Sequence, residues 1–246
     1  MSDVFSRFAP FIQDYIYRCK WEELREIQVL AAKAIFDTDE NLLLSSGTAS
    51  GKTEAAFLPV LTQLWENPSA SVGVLYLSPL KALINDQFER LEGLLEEAAI
   101  PVTKWHGDAS AAAKKRVMKR PQGVIQTTPE SLESMLMHNS SGAYRLFSDL
   151  RFIIIDEMHY FMDNDRGLQL LCLLERLARL IGYHPRRIGL SATLGDCTSA
   201  VQWLNTDSGR DCIVPKCHEK GGRMREVCGA FCGVVTVLSM VYADPT

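Results

Sequence analysis

The sequence contains no apolar run long enough to span a bilayer, and its first residues lack the unbroken hydrophobic stretch of a secretory signal. Both absences lead to the expectation of a cytoplasmic protein without a membrane partner. Surplus positive charge is missing too: 26 Lys and Arg stand against 30 Asp and Glu, a formal net charge of −4. That excludes a global basic footprint, so any contact with nucleic acid has to be local. Internal repeats and low-complexity segments are absent as well. The seven cysteines lack the tight C-x2-C pairing of most zinc sites. Cys212, Cys217, Cys228 and Cys232, with His218 among them, are spaced more loosely, and the odd total without a secretory signal reads as reduced thiols.

What is present suits a folded α/β protein. The chain has 246 residues, 47% of them hydrophobic and 23% charged, enough to bury a core in one large or two small domains. Short β-branched or Leu-rich runs alternate with amphipathic stretches, the pattern of a mostly parallel sheet with helices on both faces. Strands are predicted over residues 41–45, 72–77, 101–105, 123–126, 151–155 and 187–190, each nearly continuous in apolar residues. Leu80, Leu83, Ile84, Phe88, Leu91, Leu94 and Leu95 recur at three- and four-residue steps and predict a helix. Leu170, Leu174, Leu177 and Ile181 predict another, ended by Gly182 and Pro185.

A candidate phosphate loop follows the first strand: Ser45-Ser46-Gly47-Thr48-Ala49-Ser50-Gly51-Lys52-Thr53. Small residues let successive backbone N–H groups curl around phosphate oxygens, and the following helix, predicted over 54–65, adds the partial positive charge of its N-terminus. Lys52 is placed to reach the β and γ phosphates of ATP, and the Thr53 hydroxyl to hold Mg²⁺. Ser46 replaces the first glycine of the strict G-x4-G-K-[ST] pattern, and small residues still fit there.

A second signal lies far along the chain, where Phe152-Ile153-Ile154-Ile155 runs into Asp156-Glu157-Met158-His159. A buried strand ending in two carboxylates puts them at the carboxyl edge of a parallel sheet, where α/β ligands bind. Asp156 suits a metal-positioning role and Glu157 the orientation of an attacking water. Alone, such a run is weak evidence. Combined with the loop around Lys52 it is strong.

These motifs, in this order, resemble superfamily 2 helicases with a D-E-x-H box, and their wording is nearer the Lhr-like (large helicase-related) branch than the D-E-A-D branch. The resemblance covers about residues 21–204 and implies a RecA-like P-loop fold, with Lys52, Asp156 and Glu157 catalytic. Gly47, Thr48, Ala49, Ser50, Gly51, Lys52 and Thr53 would bind ATP, with Mg²⁺ on Thr53 and Asp156. Residues 21–28 resemble the Q motif, whose Gln28 would read adenine, although the helical pattern alone leaves Gln28 on the surface. Ser78, Pro79 and Lys81 resemble one backbone-gripping loop, and Thr128, Pro129 and Glu130 another, for a single- or double-stranded nucleic acid. Simple helix capping by Ser78 and Thr128 uses the same donors. Ser191-Ala192-Thr193 matches a coupling motif in which Ser191, Thr193 and His159 connect hydrolysis to strand movement. His106-Gly107-Asp108 resembles a further family turn. The basic run Lys114, Lys115, Arg116, Lys119 and Arg120 reads as a solvated helix face.

The family closes ATP between two RecA-like lobes, and no Q-x-x-G-R-x-G-R-like segment of a second lobe occurs in the sequence. An arginine finger from such a lobe contributes about 10³–10⁵ in rate in related enzymes. The chain is therefore expected to bind nucleotide and turn it over slowly unless a second lobe joins it, in cis or in trans. Residues 1–20 read as an aromatic-rich lead-in, 21–210 as the ATP-binding domain, and 211–246 as a Cys- and Gly-rich tail leading toward the missing lobe. A nucleotide-sensing scaffold is the alternative reading. It has no need for the full set of Lys52, Thr53, Asp156 and Glu157.

Overall fold

A computed structural model of the chain describes residues 3–47, 50–81, 93–95, 98–192, 194 and 197–216. Among these residues, β1 (Asn41–Ser45), β2 (Val72–Leu77), β3 (Val102–Trp105), β4 (Gly123–Thr127), β5 (Phe152–Ile155), β6 (Arg186–Ser191) and β7 (Cys212–Ile213) form one sheet in the order β3-β4-β2-β5-β6-β1-β7. All of its pairings are parallel. The strands expected from the sequence are all found, with ends shifted by a residue or so. β7 was not expected, because two residues show no periodicity. It pairs Cys212 with Asn41 at the far side of β1 and carries the sheet into what reads as tail.

Parallel strands need crossovers, and the crossovers cover both faces. Successive side chains of each strand alternate between two cores. Leu42, Leu44, Val74, Tyr76 and Ile154 face one core, shared with α1 (Pro10–Arg18), α2 (Glu26–Asp37) and α3 (Lys52–Glu66). Leu43, Leu75, Leu77, Ile153 and Ile155 face the other. That second core is closed by α5 (Pro129–His138), α6 (Ser140–Phe147), α7 (Asp165–Ile181) and α8 (Cys197–Asn205), with Val117 of α4 (Ala111–Lys119) at its margin. The helix expected around residues 80–95 falls largely outside the described residues.

The first residues are part of the first core. Val4, Phe8, Ile12 and Ile16 are buried in it, and the Ala9 N–H donates to the Thr62 hydroxyl of α3 at 3.2 Å. At the C-terminal end of α2, the buried Arg186 side chain of β6 donates to the carbonyls of Ala34, Ile35, Thr38 and Glu40. A cation at a helix C-terminus meets the negative end of the dipole, so a charge that would be costly inside is fully engaged. No described helix is long and apolar enough to cross a membrane.

Candidate functional site

The sheet's carboxyl edge gathers the candidate residues. β1 ends at Ser45 opposite Ser191 of β6, while Ile155 of β5 lies opposite both Gly189 of β6 and Leu77 of β2. The loop after β1, the acidic pair after β5, the loop after β2 and the Ser191 turn therefore share one rim.

The phosphate loop leads into α3 through Gly51, whose φ of +83° is the left-handed backbone that only glycine adopts freely. Ser46, where a glycine was expected, makes a 2.6 Å hydroxyl–hydroxyl hydrogen bond with Ser50 across the loop. Lys52 Nζ donates to the carbonyls of Ser46 (2.6 Å) and Gly47 (2.9 Å), so the ammonium folds back into the curl that leads to it. Burial lowers the Lys52 pKa, and the charges of Glu157 and Asp156 pull it back up. The lysine and the carboxylates thus share one electrostatic neighbourhood. Thr53 follows in the first turn of α3. Thr48 and Ala49 lie outside the described residues.

Gln28 is 2% exposed, not on the surface as its helical pattern suggests. Its Oε1 accepts the Arg25 N–H at 2.9 Å, and its Nε2 would be only 3.0 Å from a Cβ placed on Gly51. The carboxamide therefore abuts the phosphate loop, and α2, which the lead-in packs against, holds it there.

Asp156 is 6% exposed, and both of its oxygens are engaged. Oδ1 accepts the Glu157 N–H at 3.0 Å, and Oδ2 accepts the hydroxyl of Tyr76 from β2. Burial raises the Asp156 pKa above the ordinary 3.8, the Tyr76 hydrogen bond opposes that rise, and the neighbouring Glu157 charge adds to it. Glu157 itself has φ 45° and ψ 47°, an uncommon left-handed conformation for a residue with a side chain. The turn sends Asp156 inward and leaves Glu157 half-buried at the rim. His159 Nδ1 lies 3.3 Å from Glu157 Oε2 and 3.4 Å from Ser191 Oγ, bridging β5 to the Ser191 turn. The same turn is held from the other side by Ser45, whose hydroxyl donates to Ala192 O (3.2 Å) and accepts the Leu194 N–H (3.1 Å). Thr193 lies outside the described residues.

The loops expected to grip nucleic acid border a cleft of about 500 Å³ between the β2 loop, the turn after β3 and the start of α5. Of the candidates there, Ser78, Pro79, Thr128 and Pro129 are buried, whereas Lys81 and Glu130 are exposed. Thr128 is an N-cap, its hydroxyl accepting the Ser131 N–H at 3.4 Å. Ser78 instead donates to Leu80 O at 3.3 Å. Lys81 pairs with Asp108 at 2.9 Å, which brings the His106-Gly107-Asp108 turn to the cleft. In the basic run, Lys115, Arg116, Lys119 and Arg120 are exposed as expected. Lys114 turns into the cleft, donates to His106 O and stands 5.8 Å from the Trp105 ring centroid. Sequence reasoning missed Tyr76, Trp105 and Arg166. Nothing in the local pattern marks the first two, but a cation at a helix N-terminus, against the dipole, is a usable signal for the third.

Among the described residues no group of three or more His, Cys, Asp or Glu could hold a metal ion. Cys212 is buried in β7, where burial pushes its thiol up to about 12, while Cys217, Cys228, Cys232 and His218 lie outside the described residues.

Comparison with known proteins gives one consistent answer. Lhr-Core, an ATP-dependent helicase of Methanothermobacter thermautotrophicus, is 32% identical over 231 residues, which cover 86% of this chain and 26% of that protein. Lhr-Core of Methanocaldococcus jannaschii is 35% identical over 215 residues, 80% of this chain and 25% of that protein. The solved structure of Mycobacterium smegmatis helicase Lhr bound to ssDNA and AMP-PNP superposes with a TM-score of 0.72 at 30% identity, covering 87% of this chain and 28% of that one. The chain thus spans about a quarter of the length of the curated relatives it matches. Residues 25–200 match the DEAD/DEAH box helicase family, and with a parallel sheet bearing its phosphate loop and acidic pair on one rim, the chain belongs to that family.

Proposed function

We propose that this chain is the ATP-binding lobe of a nucleic-acid helicase or translocase, and that it hydrolyses ATP to ADP and phosphate when a second RecA-like lobe completes the site. The observation that carries the reading is the convergence of Lys52, which follows the loop after β1, with Asp156 and Glu157, which follow β5, at the same carboxyl edge of one parallel sheet although they are distant in sequence.

The donor set fits magnesium-ATP. The loop after β1 offers a curl of backbone closed by Ser46 and Ser50, and Lys52 needs only to exchange two carbonyl partners for phosphate oxygens. Asp156 is a buried carboxylate whose two hydrogen bonds leave lone pairs for a cation, and Thr53 supplies a hydroxyl from the facing helix. Bound Mg²⁺ would neutralise phosphate charge there. Glu157, at the rim, would orient a water by accepting its proton-side hydrogen bond. Gln28 would read the adenine edge with a carboxamide able to donate and accept together. His159 would pass the state of Glu157 to Ser191 and the turn beside it. The cleft between Lys81, Lys114 and the capped start of α5 would take the sugar-phosphate backbone of a DNA or RNA strand, with N–H groups and lysines as contacts and little reading of sequence.

Titration with a fluorescent ATP analogue in the presence of Mg²⁺ tests the reading. The chain should bind it, the Lys52→Ala variant should lose at least tenfold in affinity, and turnover by the chain alone should stay slow. Absence of binding to the unaltered chain, or equal binding by the variant, refutes the nucleotide site. Brisk nucleic-acid-stimulated turnover by the chain alone refutes the need for a second lobe.

A further inference from the structure

Arg166 occupies the first turn of α7, where the helix dipole disfavours a cation, and something else must hold it there. Its Nε and one terminal nitrogen both stand 2.8 Å from Glu130 Oε1. That terminal nitrogen also donates to Pro79 O at 2.6 Å, and the guanidinium carbon lies 5.5 Å from the Phe161 ring centroid. One side chain therefore touches three places: the loop after β2, the first turn of α5, and the 3-10 turn Met158–Phe161 that follows the acidic pair.

The link to that turn is stiff. Asn164, the N-cap of α7, donates its Nδ2 to Tyr160 O (3.0 Å) and Met162 O (2.8 Å), while its Oδ1 accepts the Gly167 N–H. Gly167 lies so close to the turn that a Cβ there would stand 1.6 Å from Phe161 O. The start of α7 cannot move independently of residues 158–161, and that turn begins at Glu157 and contains His159. The two loops at the other end of Arg166 flank the cleft proposed for nucleic acid. Ser78 and Thr128 spend their hydroxyls on Leu80 O and the Ser131 N–H within their own loops, and beside the backbone bond from the Ser78 N–H to Thr127 O the guanidinium gives Pro79 and Glu130 a shared partner.

We infer that Arg166 is a positioning residue that couples nucleotide occupancy at the Asp156–Glu157 corner to the grip of the Pro79 and Glu130 loops on nucleic acid. The inference rests on the function proposed above. A shift of the Met158–Phe161 turn is carried through α7 to the guanidinium, which moves both loops together. By linkage the effect is reciprocal, since whatever nucleotide does to nucleic-acid affinity, nucleic acid does equally to nucleotide affinity.

The test measures affinity of the chain for a fluorescent ATP analogue with Mg²⁺ and for a labelled single-stranded oligonucleotide, each with and without the other ligand saturating. The unaltered chain should show a coupling factor in the range of about 5- to 150-fold that linked sites usually show. In Arg166→Ala each separate affinity should stay within about threefold, while the coupling factor falls toward one. Arg166→Lys, which keeps the charge without the fork, should recover part of it. Thermal melting of both variants identifies unfolding. If Arg166→Ala unfolds, the comparison passes to Arg166→Lys, whose unchanged coupling overturns the inference. Coupling retained by a folded Arg166→Ala overturns it as well, and so does an unaltered chain that binds both ligands without coupling. An unaltered chain that binds neither ligand brings down the functional reading itself, a distinguishable result.

Discussion

The Tyr76 hydroxyl of β2 donates to Oδ2 of Asp156 at the end of the neighbouring strand β5, joining a buried phenol to the carboxylate at the centre of the candidate site. Because burial already raises the Asp156 pKa and the phenol counteracts that rise, Tyr76→Phe should raise it further. A carboxylate whose folded pKa exceeds its unfolded value favours folding most below the unfolded pKa, and the advantage fades as pH rises through the folded one. The variant should therefore lose about 1–3 kcal/mol at neutral pH, where the ionised acceptor is left without its donor. The loss should shrink as pH falls through the carboxylate range. Denaturant titrations at a series of pH values check this, and a pH-independent difference would contradict it. Magnesium-dependent nucleotide binding should also fail at a higher pH in the variant.

Replacing a glycine within a helix by alanine ordinarily stabilises, by up to about 1 kcal/mol. At Gly167 the sign reverses. The new Cβ meets the Phe161 carbonyl, so Gly167→Ala should destabilise by about 1–3 kcal/mol, as overpacking does. A rise in melting temperature would count against the close approach of α7 to the acidic turn.

Arg186 gives the clearest stability prediction away from the site. Its guanidinium serves four carbonyls and the Thr38 hydroxyl around the end of α2. Arg186→Ala strands those acceptors in the interior and should cost about 3 kcal/mol or more by urea denaturation. Arg186→Lys, with fewer donors, should recover only part. A loss below about 1 kcal/mol would show that water replaces the side chain readily.

Ser45→Ala should leave the sheet intact and loosen the turn beyond Ser191. Removing one hydroxyl releases both the Leu194 N–H and the Ala192 carbonyl. Hydrogen exchange should quicken at the Leu194 amide while the β1–β6 amides keep their protection. Unchanged exchange at Leu194 would contradict the clasp.

The sequence disclosed the strands because a parallel sheet covered on both faces writes its strands as unbroken apolar runs. Lys52 and Asp156 stood out because small residues before a lysine, and acids after a buried strand, each carry a chemical meaning. Gln28 was harder to place. Helical periodicity reports which face turns inward within one helix, not that a phosphate loop from elsewhere covers it. The apolar lead-in was visible as composition, yet the polar contact that registers it on α3, the Ala9 N–H on the Thr62 hydroxyl, involves a residue that no pattern singles out. Arg166 and Tyr76 draw their importance from partners far away in sequence, and one chain read alone does not encode such pairs locally. Lys114 shows the same limit within a run: its neighbours are solvated, and only the fold turns this one lysine toward the cleft.

The order of the sheet has a last consequence. β6 lies between β1 and β5, so the strands that deliver the lysine and the aspartate are two steps apart, about 9–10 Å at ordinary strand spacing. Had they been adjacent, ammonium and carboxylate could have quenched each other as a permanent internal salt. The intervening strand sets the two loops apart along one rim, with room between them for the metal-bound phosphate of the proposed function.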